Sequence, residues 1–205
     1  MPKSGAVTRE KILEVAESLV LSYGFAGASI DKVIEQAGIT KGTFFYHFKN
    51  KQEMAKTLIE RFHSKDMAMF TQFMTRAEKV TEDPLQQLLL LVSFLEEMLD
   101  ELTEPYPGCL FASYVYQSQQ FDEDTLAVCS RAMTDWREMY SEKLREAVKK
   151  YPPKVEINPD ELADLLTTIL EGAMLLSKTM GDAKLLAPQL AHYRNYLQLL
   201  FSNTQ

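Results

Sequence analysis

Cysteine is almost absent from this 205-residue chain. Cys109 and Cys129 form no CxxC pair and no disulfide framework, so a reducing, cytoplasmic setting is expected. Histidine is nearly as scarce: His47, His63 and His192 lie scattered without ligand spacing, and no metal site is expected. No G-x-S-x-G, H-E-x-x-H or glycine-rich phosphate loop occurs, so nothing points to an enzyme or to a cofactor. Long apolar runs are missing as well. LLLLVSFL at 88–95 is the most apolar stretch, and Glu96 and Glu97 end it well short of the roughly 20 residues a membrane span needs. It reads as a buried helix. The first ten residues lack the apolar core of a signal peptide, and residues 1–7 are expected to be disordered.

Basic residues are in the minority overall, with a net charge of −7, yet they are unevenly spread. Residues 1–51 carry seven Lys or Arg against five acids, a balance of +2, and the remainder stands at −9. A mildly basic head on an acidic body suits phosphate contact at one end and repulsion of DNA elsewhere. With 46% hydrophobic residues, the chain can bury a substantial core.

The segment 29–51, SIDKVIEQAGITKGTFFYHFKNK, is the most informative stretch. Ser29 is placed to cap a helix whose apolar residues Ile30, Val33, Ile34 and Ala37 recur at i, i+3, i+4 and i+7. Gly38 follows, suited to the left-handed conformation that ends a helix. Thr40 is placed to cap a second helix, with Ile39 and Phe44 spaced as a hydrophobic staple. Two helices so closely joined meet at a steep angle, the helix-turn-helix arrangement, whose second helix enters the major groove of DNA. At about 100° per residue, Phe44 and Phe48 point together toward a supporting first helix. Gly42, Thr43, Tyr46 and His47 spread over the opposite side, while Phe45 falls on the flank beside Lys41. Asn50 caps a further helix, with Glu53 reaching back and Lys51 in its first turn. A cation there opposes the helix dipole unless a phosphate lies nearby.

These residues closely resemble the DNA-binding segment of the TetR family of bacterial regulators. The resemblance rests on Ala37-Gly38-Ile39-Thr40, on Lys41-Gly42-Thr43-Phe44-Phe45-Tyr46-His47-Phe48, and on Lys51. Phe45 departs from it, standing where the family usually has Tyr, so any contact it makes with DNA is apolar. The expected DNA-contacting set is Ser29, Thr40 and Lys51 on the backbone, Gly42, Thr43, Tyr46 and His47 in the groove, and Lys41 and Phe45 at the flank.

The remaining pattern is helical throughout. An amphipathic helix over 8–23 places Ile12, Ala16, Leu19, Val20 and Tyr23 on one face. Further helices are expected over 50–79, 84–102, 109–118, 122–150, 159–180 and 184–201, with Asp83-Pro84 and Pro152-Pro153 as punctuation. The expectation is an all-α fold of about nine helices. A three-helix helix-turn-helix domain spans 1–50, and a helical ligand-binding and dimerisation domain spans 51–205.

The last two helices are apolar over more than one stripe, as in helices covered on two sides. Gly172, in the middle of one of them, costs helix stability and suits a close backbone approach. The resemblance implies a homodimer through these two helices. The expected interface is Leu166, Ile169, Gly172, Ala173 and Leu176 with Tyr193, Tyr196, Leu197 and Leu200. It also implies an effector site in the helical body. Met and aromatic residues recur there: Phe70, Phe73, Met74, Phe94, Met98 and Phe111, then Tyr114, Met133, Trp136, Tyr140 and Met174. Such side chains make adaptable apolar pockets, so the expected effector is a small apolar or aromatic molecule, with Glu171 as polar candidate. Core packing is the competing explanation for each of them. The expected mechanism is repression of a promoter by a dimer on a near-palindromic duplex operator, relieved when the effector binds the DNA-incompetent state more tightly.

Overall fold

The structure, a computed structural model, describes residues 4–202. Among the described residues are nine α-helices and two 3-10 turns, with no strand. They are α1 (Ser4–Gly27), α2 (Ile30–Ala37), α3 (Lys41–His47), α4 (Lys51–Val80), α5 (Pro84–Asp100), α6 (Leu110–Val115), α7 (Glu123–Lys150), α8 (Pro159–Met180) and α9 (Leu186–Phe201). Among the described residues, no helix is long and apolar enough to cross a membrane, and no group of His, Cys, Asp or Glu is arranged to hold a metal ion.

The helix boundaries follow local chemistry. Ser29 accepts the Lys32 N–H at 3.3 Å, and Asp83 accepts the N–H groups of Leu85 and Gln86, both at 3.0 Å, ahead of Pro84 in the first helical position. Gly38 takes φ 61°, and α2 closes with paired bonds from Gly38 N–H to Glu35 O and Ile39 N–H to Ile34 O, each 3.1 Å. This six-residue closure satisfies carbonyls that the helix end would otherwise leave bare. The N-terminus differs from expectation. Residues 4–7 are helical, continuing α1 toward α3, where the Cβ direction of Gly5 points 3.7 Å from His47 Cε1; residues 1–3 lie outside the described residues.

The contacts divide the chain into two compact units. The first comprises the chain through Lys65 together with Gly108–Ala132, so α1–α3 are joined by the first half of α4, by α6 and by the start of α7. Its core holds Ile12, Leu13, Ala16, Leu19, Phe25, Val33, Phe44, Phe48, Met54 and Leu58. Arg61 of α4 clasps α1, donating to Glu17 at 2.6 Å and through Nε to Glu10 at 2.8 Å. That hydrogen bonding with Arg61 holds the Glu10 carboxyl below its ordinary range. Tyr23, expected on the buried face, is 63% exposed. Gly24, at φ 69° and ψ 168°, breaks the helix immediately after it, and Phe25 rather than Tyr23 turns into the core.

The second unit comprises Asp66–Pro107 and the chain from Met133 onward. Its core is built from α5, α8 and α9, with α4 and α7 supplying Phe70, Met74, Tyr140 and Leu144. The apolar run in α5 is buried as expected, with Leu88, Leu91 and Val92 fully enclosed. Tyr193 of α9 donates to the Leu162 carbonyl of α8 at 2.9 Å, tying these two helices together.

Candidate nucleic-acid interface

Thr40 and the aromatics around it decide how α3 is presented. The Thr40 hydroxyl accepts the Thr43 N–H at 3.1 Å and pairs with the Thr43 hydroxyl at 2.9 Å, so both side chains are held against the helix start. Phe44 and Phe48 lie inside the core with ring centroids 5.9 Å apart, and the Arg9 guanidinium sits 4.9 Å over the Phe48 ring. With that side anchored, the opposite face can only point outward. Tyr46 is 82% exposed, and the half-buried His47 stands edge-on to it at 5.0 Å. Phe45 is 44% exposed and meets Phe44 edge-on at 5.3 Å, on the flank where the angular argument puts it. Lys41 and Gly42 are exposed at the helix start.

Gly42 has no internal justification. A Cβ there would meet only Thr40 Oγ1, at an ordinary 3.8 Å, although glycine costs an α-helix up to ~1 kcal/mol. A helix start carrying such a gap, a cation and a projecting phenol can admit a phosphate backbone closely and touch base edges.

Lys51 is placed differently from what its position suggested. Its ammonium donates to the Phe25 carbonyl and lies 4.0 Å over the Phe25 ring, and burial pushes its pKa down. The objection to a cation in the first turn of α4 is thus met inside the protein by a carbonyl and an aromatic face. Asn50 caps this helix by accepting the Glu53 N–H at 2.8 Å, and Glu53 reaches back to the Lys49 N–H at 2.7 Å.

The residues expected to bind an effector do not form one group. Phe111 and Tyr114 belong to the core of the first unit: Phe111 packs on Phe62 at 5.1 Å, and the Tyr114 hydroxyl donates to the Ala55 carbonyl at 2.8 Å. In the second unit, Phe70, Trp136 and Tyr140 line a small cavity with Met139, Leu166, Thr167 and Leu170. Its volume, about 10 Å³, leaves room for about one water molecule. Burial holds the Tyr140 phenol far above its ordinary pKa, so this lining is neutral. Phe73 and Phe94 pair at 6.0 Å, with the Arg76 guanidinium 3.8 Å over Phe94. Met74 is in the core and Met98 and Met174 pack against it, while Met133 and Glu171 are half-buried. Cys109 and Cys129 are both buried, and burial pushes the Cys129 thiol up to about 11.

The expected dimer residues also separate. Leu166, Ala173, Tyr193, Leu197 and Leu200 are buried in the core of their own unit, where neighbouring helices already cover them. The exposed surface of α8 includes a stripe of Leu165, Gly172, Leu176 and Met180, with the half-buried Ile169 between the first two, at intervals of four, three, four and four; that of α9 includes Tyr196 and Leu199. Leu165 and Met180 of α8 and Leu199 of α9 are exposed apolar residues outside the expected interface set. Gly172 lies in this stripe with nothing within 4 Å of its Cβ direction.

Comparison with known proteins agrees with this architecture. The family model described as bacterial regulatory proteins, tetR family, matches residues 12–58, and that of the LmrA/YxaF-like transcriptional regulator C-terminal domain matches 84–189. The HTH-type transcriptional regulator LmrA of Bacillus subtilis is 25% identical over 179 residues, covering 86% of this chain and 89% of the relative. The HTH-type transcriptional repressor NemR of Escherichia coli is 21% identical over 192 residues, covering 93% and 94%. A TetR-family regulator from Agrobacterium tumefaciens superposes with a TM-score of 0.79 at 19% identity, over 97% of this chain and all of that one. The reduced form of NemR superposes with a TM-score of 0.75 at 21% identity, over 92% and 96%.

Proposed function

The chain belongs to the TetR family of bacterial transcriptional regulators, and from that premise we propose that it is a repressor which holds a near-palindromic operator as a homodimer and releases it on binding a small apolar or aromatic effector. Family membership makes it a DNA-binding regulator and not an enzyme. The observation that carries the finer reading is the exposed face of α3, where an 82% exposed Tyr46 stands beside His47 on a helix fixed from behind by Phe44 and Phe48. In this reading Gly42, Thr43, Tyr46 and His47 face the groove, Lys41 and Phe45 flank it, and Ser29, Thr40 and Lys51 lie along the phosphate backbone. Lys51 acts there mainly by bracing the start of α4, since its ammonium is already held by the Phe25 carbonyl. Two such helices about 34–36 Å apart read two half-sites, and the stripe through Gly172, Leu176, Tyr196 and Leu199 supplies the subunit contact that sets their spacing.

The effector site in this reading is the aromatic cavity of Phe70, Trp136 and Tyr140, which must widen beyond its present water-sized volume to admit a ligand. A molecule that fits only the widened form shifts the protein toward that form, and DNA affinity falls if that form misplaces the reading helices. A cytoplasmic location follows from the role.

The test is selection of a duplex from a random pool by the wild-type protein, followed by binding of Tyr46→Ala and His47→Ala. Both variants are expected to lose at least tenfold in affinity for that duplex while remaining folded dimers by sedimentation. Wild-type affinity in both variants means that α3 is not the reading helix.

A further inference from the structure

Residues 108–132 belong to the DNA-reading unit although the chain on either side of them belongs to the other unit. This excursion closes over Gly24-Phe25-Ala26, the corner that joins α1 to α2. Phe25 is fully buried against Phe121 at 4.4 Å and Tyr114 at 6.2 Å, and those two rings stack on each other at 4.2 Å. Tyr114 is tied to α4 by its hydrogen bond to Ala55, and Gln52 of α4 donates to the Gln120 carbonyl at 3.0 Å.

Gln117 completes the grip. Its Oε1 accepts the Ala26 N–H at 3.2 Å, across 91 residues of sequence. Its amide also occupies the space beside Gly24: a Cβ on that residue would come within 2.6 Å of Gln117 Nε2. Gly24 is favoured by its φ of +69°, and any side chain there would also displace the Gln117 amide. Apolar filling alone would seal this corner. A directional bond to a backbone N–H does something different, because it is lost within about an ångström of displacement. The corner also sets where α2 begins, and the tight closure at Gly38 passes the orientation of α2 directly to α3.

We propose that Gln117 is a positioning residue for DNA recognition: by holding the Ala26 N–H it fixes the α1–α2 corner and hence the reading face of α3. The inference rests on the DNA-binding reading above. It gives a particular signature, because base readout needs α3 in register whereas attraction to phosphates does not. Specific affinity is sensitive to Gln117; non-specific affinity is not.

The experiment compares wild type, Gln117→Leu and Gln117→Glu as full-length dimers on a duplex selected by the wild type and on a scrambled duplex at low salt, alongside thermal unfolding. Gln117→Leu, which keeps bulk but loses the acceptor, is expected to bind the selected duplex at least tenfold more weakly. Its binding to the scrambled duplex and its melting temperature should stay near wild type. Gln117→Glu, which keeps an acceptor for the Ala26 N–H, should recover most of the specific affinity. Wild-type preference in Gln117→Leu, or an equal loss on both duplexes that Glu does not rescue, overturns the inference. A wild-type protein without any preference overturns the DNA-binding reading, and this inference with it.

Discussion

Gly42 and Gly172 occupy interior or near-terminal positions of two helices where nothing in the protomer asks for a glycine. Each leaves a gap on an exposed face, and the surroundings of the two gaps could hardly differ more. Gly42 lies among Lys41, Thr43, Tyr46 and His47, a polar and aromatic surface at a helix start. Gly172 lies among Leu165, Ile169 and Leu176, an apolar stripe. Missing side chains invite close approach in both places, and in the proposed function the neighbours match what approaches: a phosphate backbone and base edges at the first, a second apolar helix at the second.

The contrast can be broken most forcefully at the apolar stripe. Leu176→Glu places a charge on a side chain that is 50% exposed in the protomer and, in the proposed dimer, buried. The dimer dissociation constant is expected to rise by at least 100-fold in analytical ultracentrifugation, with the helical signal intact; an undisturbed dimer would remove α8 from the interface. Leu197, one helix away and fully buried, should behave in the opposite manner. Leu197→Ala is expected to cost ~2–5 kcal/mol of stability in chemical denaturation, through lost burial and the cavity left behind.

The glycines themselves sharpen the comparison further. Gly172→Ala and Gly42→Ala should each raise intrinsic helix stability by up to ~1 kcal/mol. The first is nevertheless expected to weaken the dimer and the second to weaken specific DNA binding, each severalfold. If stability and binding improve together at either site, that surface is not a contact surface.

The smallest expected effect concerns pH and lies in the second unit. Asp83 caps α5; desolvation raises its carboxyl, but hydrogen bonds from Lys150, the Tyr151 hydroxyl and the Gln86 N–H outweigh that together and lower it to about 2. A depressed carboxylate contributes stability that is fully present above its unfolded value near 4 and is lost as the pH falls toward 2. Asp83→Ala should lower stability by ~1 kcal/mol at neutral pH and flatten this acid dependence between about pH 4 and 2, read by thermal unfolding. Equal acid sensitivity in wild type and variant would mean that the cap carries no such linkage.

What the sequence disclosed and what it hid divide along the same physical line. As caps, Ser29, Gly38, Thr40 and Asp83 act within a few residues of themselves, so both ends of α2 and the starts of α3 and α5 are legible from residue type and spacing. The outward face of α3 followed from angle alone once Phe44 and Phe48 were taken as anchors. On α8 and α9, periodicity marks two apolar sides without saying which one the protomer covers, and so Leu166 and Tyr193 were expected at a surface they do not reach. Gln117, Arg61 and Lys51 find their partners 91, 44 to 51, and 26 residues away, and no local pattern announces such contacts. Phe111 and Tyr114 were grouped with the effector aromatics because composition cannot distinguish two cores in one chain.

The most direct test of the central claim is a fluorescence-anisotropy titration of the wild type and Tyr46→Ala, each on the selected duplex and on its scrambled counterpart at physiological salt. The wild type is predicted to prefer the selected duplex by ~10³-fold or more. Tyr46→Ala should bind both duplexes with nearly the same weak, salt-sensitive affinity. A Tyr46→Ala protein that keeps the wild-type preference would contradict the account.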